Sequence, residues 1–192
     1  GVRVESTGPP WSGASKAGLR PGDVIFAWAL PDTEPAGTHA VASLADWHEA
    51  EAEHGLREHG VVVSLVRDGQ VTTAPLRGGA WLLAAGPLLS NPRLSEHQRA
   101  TDLAGRGEPA EAATLWGRLA ESAIQDPDAS LAAWFWLRAA GARMAARNPT
   151  AAVAAYGAAR AAARERGQPL LEREALEGLS RAHQASQQPV AA

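Results

Sequence analysis

The sequence of 192 residues contains no cysteine, and this absence excludes a fold stabilised by disulfide bonds. It leaves the compartment open, because a protein without cysteine is compatible with the cytoplasm and with the periplasm. No apolar run approaches the roughly 18 residues that a membrane-spanning helix needs, so we expect no membrane insertion. The 18 Lys and Arg against 21 Asp and Glu give a net charge of −3, which does not indicate a nucleic-acid partner.

The chain begins at Gly1 with neither an initiator methionine nor a signal peptide, and its first residues have the pattern of a strand inside a domain. We therefore expect a segment of a longer protein, whose localisation the sequence leaves unknown. The abundance of Ala, Arg and Trp is typical of a GC-rich bacterial genome.

The composition changes once along the chain and predicts two domains. Residues 1–77 are rich in Gly, Pro and Val, whereas Ala, Leu, Glu, Arg and Gln dominate residues 93–187 and favour helix. Residues 78–92 are predicted to join the two domains. This join is apolar, unlike a flexible linker, which would be polar.

Turn and capping signals organise the first domain. Pro21-Gly22-Asp23 makes a tight reversal into a β-branched run, because proline fixes φ and glycine accepts a positive φ. Asp68-Gly69 between two β-branched runs has the pattern of a β-hairpin. Ser43, with Asp46 three residues later, predicts the start of a helix that ends near Gly55.

The predicted order is strand, short helix, strand, helix and hairpin. Together with the segment Ala17-Gly18-Leu19-Arg20-Pro21-Gly22-Asp23-Val24-Ile25, this order resembles the PDZ domains of bacterial proteases and scaffolds. The resemblance implies an α+β partial β-barrel that binds a peptide by adding it as an extra strand.

The same resemblance implies which residues line the peptide groove. On the helix after Ser43 they would be Leu44, His48 and Glu51, while Trp47 and Ala50 would face the core. A histidine on a short surface helix is also commonly just solvated, so the role of His48 stays open. In PDZ domains a carboxylate-binding loop and an edge strand precede the first strand seen here. We therefore expect a truncated or degenerate domain that binds free peptide C-termini poorly.

The segment from His48 to His54 holds two histidines and three glutamates, but their spacing does not suit a metal. Six residues turn a helix by about 240°, so the two histidines diverge, whereas zinc-binding helices place them four residues apart. We expect a charged, solvent-exposed face instead. Neither a nucleophile elbow nor a phosphate-binding loop occurs, so we predict no enzyme activity, no cofactor and no metal.

The second domain carries a degenerate repeat of small and aromatic residues. Its first copy, Ala100, Ala112 and Trp116, recurs 40 residues later as Ala140, Ala152 and Tyr156. Small residues let antiparallel helices approach closely, and the aromatic fills the gap between hairpins. The pattern resembles the tetratricopeptide repeat, which implies an all-α stack of five helices between residues 94 and 185. Arg143 and Arg147 depart from that pattern, and an unspecific Ala-rich bundle is the alternative.

Repeat proteins of this type bind partners on the concave face formed by the first helix of each hairpin. The resemblance places Trp134, Leu137 and Met144 on that face, and packing within the chain is the alternative explanation for these side chains. The sequence thus predicts a non-enzymatic protein–protein interaction segment of a larger bacterial protein, with a peptide or protein partner. The alternative is a spacer or regulatory segment of a multidomain protease or signalling enzyme, with internally filled grooves.

Overall fold

A computed structural model describes residues 1–31, 37–126, 128 and 130–187 of the chain. The chain divides between Leu88 and Leu89 into two compact units. Among the described residues, the first unit contains six strands and two helices and the second contains five helices. The fold is therefore α+β.

The first unit is built around a twisted antiparallel sheet. Its elements are β1 (Val2–Ser6), α1 (Gly13–Lys16), β2 (Val24–Ala29), β3 (Thr38–Ala40), α2 (Leu44–His54), β4 (Val61–Arg67), β5 (Gln70–Leu76) and β6 (Ala84–Pro87). The predicted capping box is confirmed, since Ser43 and Asp46 exchange side-chain and backbone hydrogen bonds at the start of α2. The predicted hairpin is also confirmed, and Asp68 and Gly69 between β4 and β5 have φ of 51° and 78°.

The strand order of the sheet is β5-β4-β2-β1-β6, and β3 pairs with the far end of β2. Every pairing is antiparallel. β6 lies inside the segment 78–92, which is predicted from its composition to join the two domains. It pairs with β1 from Val2 to Ser6. The edge of β1 that the sequence leaves open is therefore occupied by the chain itself.

The Pro21-Gly22-Asp23 turn is fixed by a buried ion pair that the sequence does not reveal. Gly22 has a φ of 98°, which only glycine adopts without strain. Asp23 is 3% exposed, and both of its carboxylate oxygens accept hydrogen bonds from the Arg67 side chain, at 2.8 and 2.6 Å. The Arg20 N–H donates to the same carboxylate, at 2.8 Å. The turn is thereby tied to the end of β4.

The second unit is a series of antiparallel helices in which consecutive helices pack together. They are α3 (Arg93–Gly105), α4 (Pro109–Ser122), α5 (Leu131–Ala145), α6 (Pro149–Glu165) and α7 (Pro169–Gln187). Three of the four connections share one design, a residue of positive φ followed two positions later by the proline that begins the next helix. The positive-φ residues are Gly107, Arg147 and Gly167.

Arg147 departs from the repeat pattern, which has a glycine at this turn. It nevertheless adopts the positive φ that glycine favours. Its φ is 56°, and the N–H of the next residue donates to the Arg143 carbonyl oxygen, as the corresponding N–H groups do after Gly107 and Gly167. This is the Schellman pattern of helix termination. Arg143 itself donates from its guanidinium to the carbonyl oxygen of Ala151 on α6. Both arginines are therefore part of the turn between α5 and α6: Arg147 by its backbone conformation and Arg143 by its hydrogen bond to Ala151.

The small and aromatic residues of the repeat form the core of the helical unit. The four repeat alanines are fully buried, and Trp116 and Tyr156 are nearly so. The Tyr156 ring packs directly against Gly178 of α7, since a Cβ at that position would overlap the ring. The pairing of small with aromatic residues thus sets how closely α6 and α7 approach.

Candidate functional site

The outer edge of β6 pairs with no other strand among the described residues. β6 hydrogen-bonds to β1 on one side, and α2 contacts it. The Val4 N–H donates to the Asp23 carbonyl oxygen and the Val4 carbonyl oxygen accepts from Gly22, so the hydrogen-bonding groups of Val4 point toward β2. Val4 lies opposite Ala85. Because such groups alternate along an antiparallel strand, those of Ala85 point away from β1.

This edge offers few groups to a ligand. Pro87 follows Ala85 on the same side of the strand and has no N–H. Within the four residues of β6, the groups that point away from β1 are the amide of the half-buried Ala85 and the carbonyl oxygens of Ala85 and of the buried Pro87. A peptide strand added here would form a short ladder with a single amide donated by the protein. We infer that strand addition at β6 is weak.

The three predicted groove residues of α2 differ in how far they are buried. Leu44 is fully buried, so its side chain offers no surface to a ligand. His48 and Glu51 are half-buried and lie one turn apart on the same helical face. Their contact with a peptide stays a prediction. The expectation that Trp47 and Ala50 face the core is confirmed, since both are buried.

The two half-buried residues of α2 have perturbed protonation. Burial lowers the pKa of His48 and raises the pKa of Glu51 to about 7. Both shifts favour the neutral form, as expected for ionisable groups removed from water. At neutral pH this face of α2 thus carries an uncharged histidine and a partly protonated glutamate, which reduces repulsion of a carboxylate.

The prediction of a solvent-exposed face from His48 to His54 is wrong at His54. Its side chain is buried and packs on the Trp28 ring, with 4.7 Å between the ring centroids. The Trp28 ring also stacks on His39, with 4.1 Å between the ring centroids. Burial is the main cause that lowers the pKa of His54. His54 is at the end of α2, where the helix meets the sheet, and the periodicity of the apolar residues does not reveal this contact.

The predicted partner-binding residues of α5 are mostly in the core. Trp134 is 6% and Leu137 7% exposed, so neither offers a surface to a partner, whereas Met144 is half-buried. Trp134 is enclosed by His97, Phe135 and the Arg138 guanidinium, which lies 4.8 Å from its ring centroid. Nine of the 15 residues of α5 are buried, as expected for a helix in the core of its unit. Packing within the helical unit therefore accounts for Trp134 and Leu137.

No group of three His, Cys, Asp or Glu side chains in the ranges given above is arranged to hold a metal ion. No helix in the described part of the chain has the length and apolar character needed to cross a membrane. No family model, curated protein or solved structure matches the chain. The two family resemblances stay predictions based on sequence motifs.

Proposed function

We propose that this chain is a non-enzymatic protein-interaction segment in which a PDZ-like unit binds an extended peptide between β6 and α2. The second unit is a tetratricopeptide-like helical stack. The observation that carries the proposal is the position of β6, which among the described residues is bonded to a strand on one side only and contacts α2. Such a one-sided strand is what strand addition requires.

The position of β6 also changes the interpretation of the missing edge strand. The PDZ resemblance places that strand before Gly1, whereas here residues after β5 pair with β1 in the antiparallel sense. A domain whose edge strand is supplied from its other end can retain the same groove. The turn residues and the buried alanines support the repeat assignment of the helical unit.

The second candidate function is a structural spacer with internally filled grooves. Its supporting observation is the same strand, because β6 covers the edge of β1 that would otherwise accept a peptide. The short length of β6 and its Pro87 further limit strand addition. The two functions differ in one property, which is saturable binding of a peptide at the outer edge of β6.

The test is a titration of the chain with a library of fluorescently labelled peptides, followed by anisotropy. We expect saturable binding weaker than about 10 μM, because few main-chain hydrogen bonds are available. Ala85→Pro removes the single outward amide of β6 without removing a hydrogen bond to β1, so it should abolish binding and preserve the fold. The absence of saturable binding up to about 1 mM would favour the spacer.

Thr73→Pro is the matched control on the opposite edge of the sheet. Thr73 lies two residues before Pro75 on β5, and Pro75, which has no N–H, must turn its hydrogen-bonding side away from β4. The Thr73 N–H therefore also points outward. If the peptide adds to β6, Thr73→Pro leaves its affinity unchanged. Loss of binding in this variant alone would assign the peptide to β5.

A further inference from the structure

A second groove in the first unit is lined by no described residue of β6 or α2. It has a volume of about 610 Å³, within the range of ligand-binding clefts. One wall is Trp11 together with Gly13, Lys16 and Ala17 of the α1 segment, and the other is Pro75 with residues 77–80 after β5. Neither the PDZ resemblance nor the proposed peptide groove assigns a role to this surface.

The described charges of this groove have one sign. Lys16 and Arg77 both line it, and no acidic residue is among the described residues of its lining. In the part of the chain that the structure describes, neither side chain forms an ion pair, whereas Arg67 and Arg57 each lie beside a carboxylate. The net charge of the whole chain is −3, so the groove is a cationic patch on an acidic protein. Such a patch attracts a negatively charged partner.

Trp11 provides an apolar contact at the same place. It is 63% exposed, whereas Trp28, Trp47 and Trp81 of the same unit are buried. An exposed indole beside a cleft has the character of a binding hot spot, because it offers a large rigid surface. The groove thus combines an apolar platform with two cationic side chains that form no ion pair among the described residues.

The walls of the groove are held in place before any ligand arrives. The Ser12 hydroxyl donates to the Thr7 carbonyl oxygen at 2.5 Å, and the Ser15 hydroxyl donates to the same oxygen at 2.9 Å. The Gly13 N–H donates to the Ala80 carbonyl oxygen at 3.1 Å and joins the two walls. A preorganised surface loses little entropy on binding.

We propose that this groove binds an acidic peptide segment of a partner protein, with its carboxylates at Lys16 and Arg77 and an apolar side chain on Trp11. The recognised groups are side-chain carboxylates, so a free C-terminus is not required. This surface is distinct from the groove between β6 and α2, and a partner could engage both.

The test is a titration with a labelled, C-terminally amidated peptide of alternating Glu and Leu, followed by anisotropy. We expect saturable binding that weakens when the salt rises from about 0.05 M to about 0.5 M. The same peptide with Gln in place of Glu should bind at least about tenfold more weakly. Equal affinity of the Gln peptide would contradict recognition of carboxylates.

Three variants locate the site. The double variant Lys16→Glu with Arg77→Glu should weaken binding at least about tenfold, and Trp11→Ala should weaken it at any salt concentration. All three side chains are exposed, so the fold should be retained, and Lys16→Gln with Arg77→Gln provides a milder change. The matched control is Arg99→Glu, an exposed cation of the helical unit. Binding unaffected by the double variant, or lost equally in the control, would overturn the proposal.

Discussion

The ion pair between Asp23 and Arg67 predicts a large and pH-dependent loss of stability when the arginine is removed. Arg67→Met deletes both hydrogen bonds to the carboxylate and a third to the Gly18 carbonyl oxygen at 2.8 Å, and it leaves Asp23 buried with the Arg20 N–H. Breaking a buried pair in this way costs about 3–5 kcal/mol. Since the Arg67 side chain is 26% exposed, we expect about 3 kcal/mol.

The pH dependence follows from the pKa of Asp23. Burial by itself raises this pKa, but the hydrogen bonds and positive charges of Arg67 and Arg20 lower it overall, below its ordinary value of 3.8. In the native protein the stability from the pair is therefore present above pH 3.8 and is lost as the pH falls through the lowered pKa. In Arg67→Met the effect of burial on the pKa of Asp23 is offset only by Arg20, so protonation relieves more of the cost of the buried charge. The cost of the mutation should shrink on acidification.

The assay is urea denaturation followed by tryptophan fluorescence between about pH 7 and about pH 3. Trp28, Trp47 and Trp81 report on the first unit. The matched control is Arg57→Met, which removes an exposed pair with Glu53 and should cost less than about 0.5 kcal/mol. A loss in Arg67→Met as small as in the control, or one that does not change with pH, would refute the reasoning.

Three further predictions concern single residues. Glu51→Gln should stabilise the protein above about pH 7 and have little effect below pH 4.5. The raised pKa of Glu51 means that the wild-type protein loses stability as the pH rises through about 7, and denaturation at both pH values checks this. Gly178→Ala should lower the free energy of unfolding by about 1–3 kcal/mol through overlap with Tyr156, while Gly141→Ala, which meets no atom, should raise it by up to about 1 kcal/mol. Arg147→Gly should stabilise by about 0.5–1 kcal/mol by relieving a positive φ, and an unchanged thermal midpoint would contradict this.

Local signals in the sequence identify the turns and most helices. The capping box at Ser43 and the hairpin at Asp68-Gly69 appear as predicted, because both depend on the chemistry of a few adjacent residues. The helices of the second unit are likewise visible from composition and from the prolines at their starts. The burial of their side chains is not visible from the sequence, since Trp134 and Leu137 have a repeat pattern that fits a binding face as well as a core.

Long-range pairings are not visible in the sequence. β6 contains Ala, Gly and Pro rather than β-branched residues, so its propensity gives no indication of a strand, and it becomes one because the open edge of β1 accepts it. The ion pair of Asp23 joins residues 44 positions apart, and no local pattern indicates it. Lys16 and Arg77 likewise meet at one groove only after the sheet has formed.

The central claim, that a peptide adds to the outer edge of β6, is tested most directly by hydrogen exchange at the amide of Ala85. In the free protein this amide points away from β1 and should exchange fast, whereas the neighbouring Gly86, which lies opposite Arg3, should be protected by its hydrogen bond. Adding a peptide that binds in the titration should slow exchange at Ala85 by at least about tenfold and leave Gly86 little changed. Unchanged exchange at Ala85 while the peptide is bound would contradict the account.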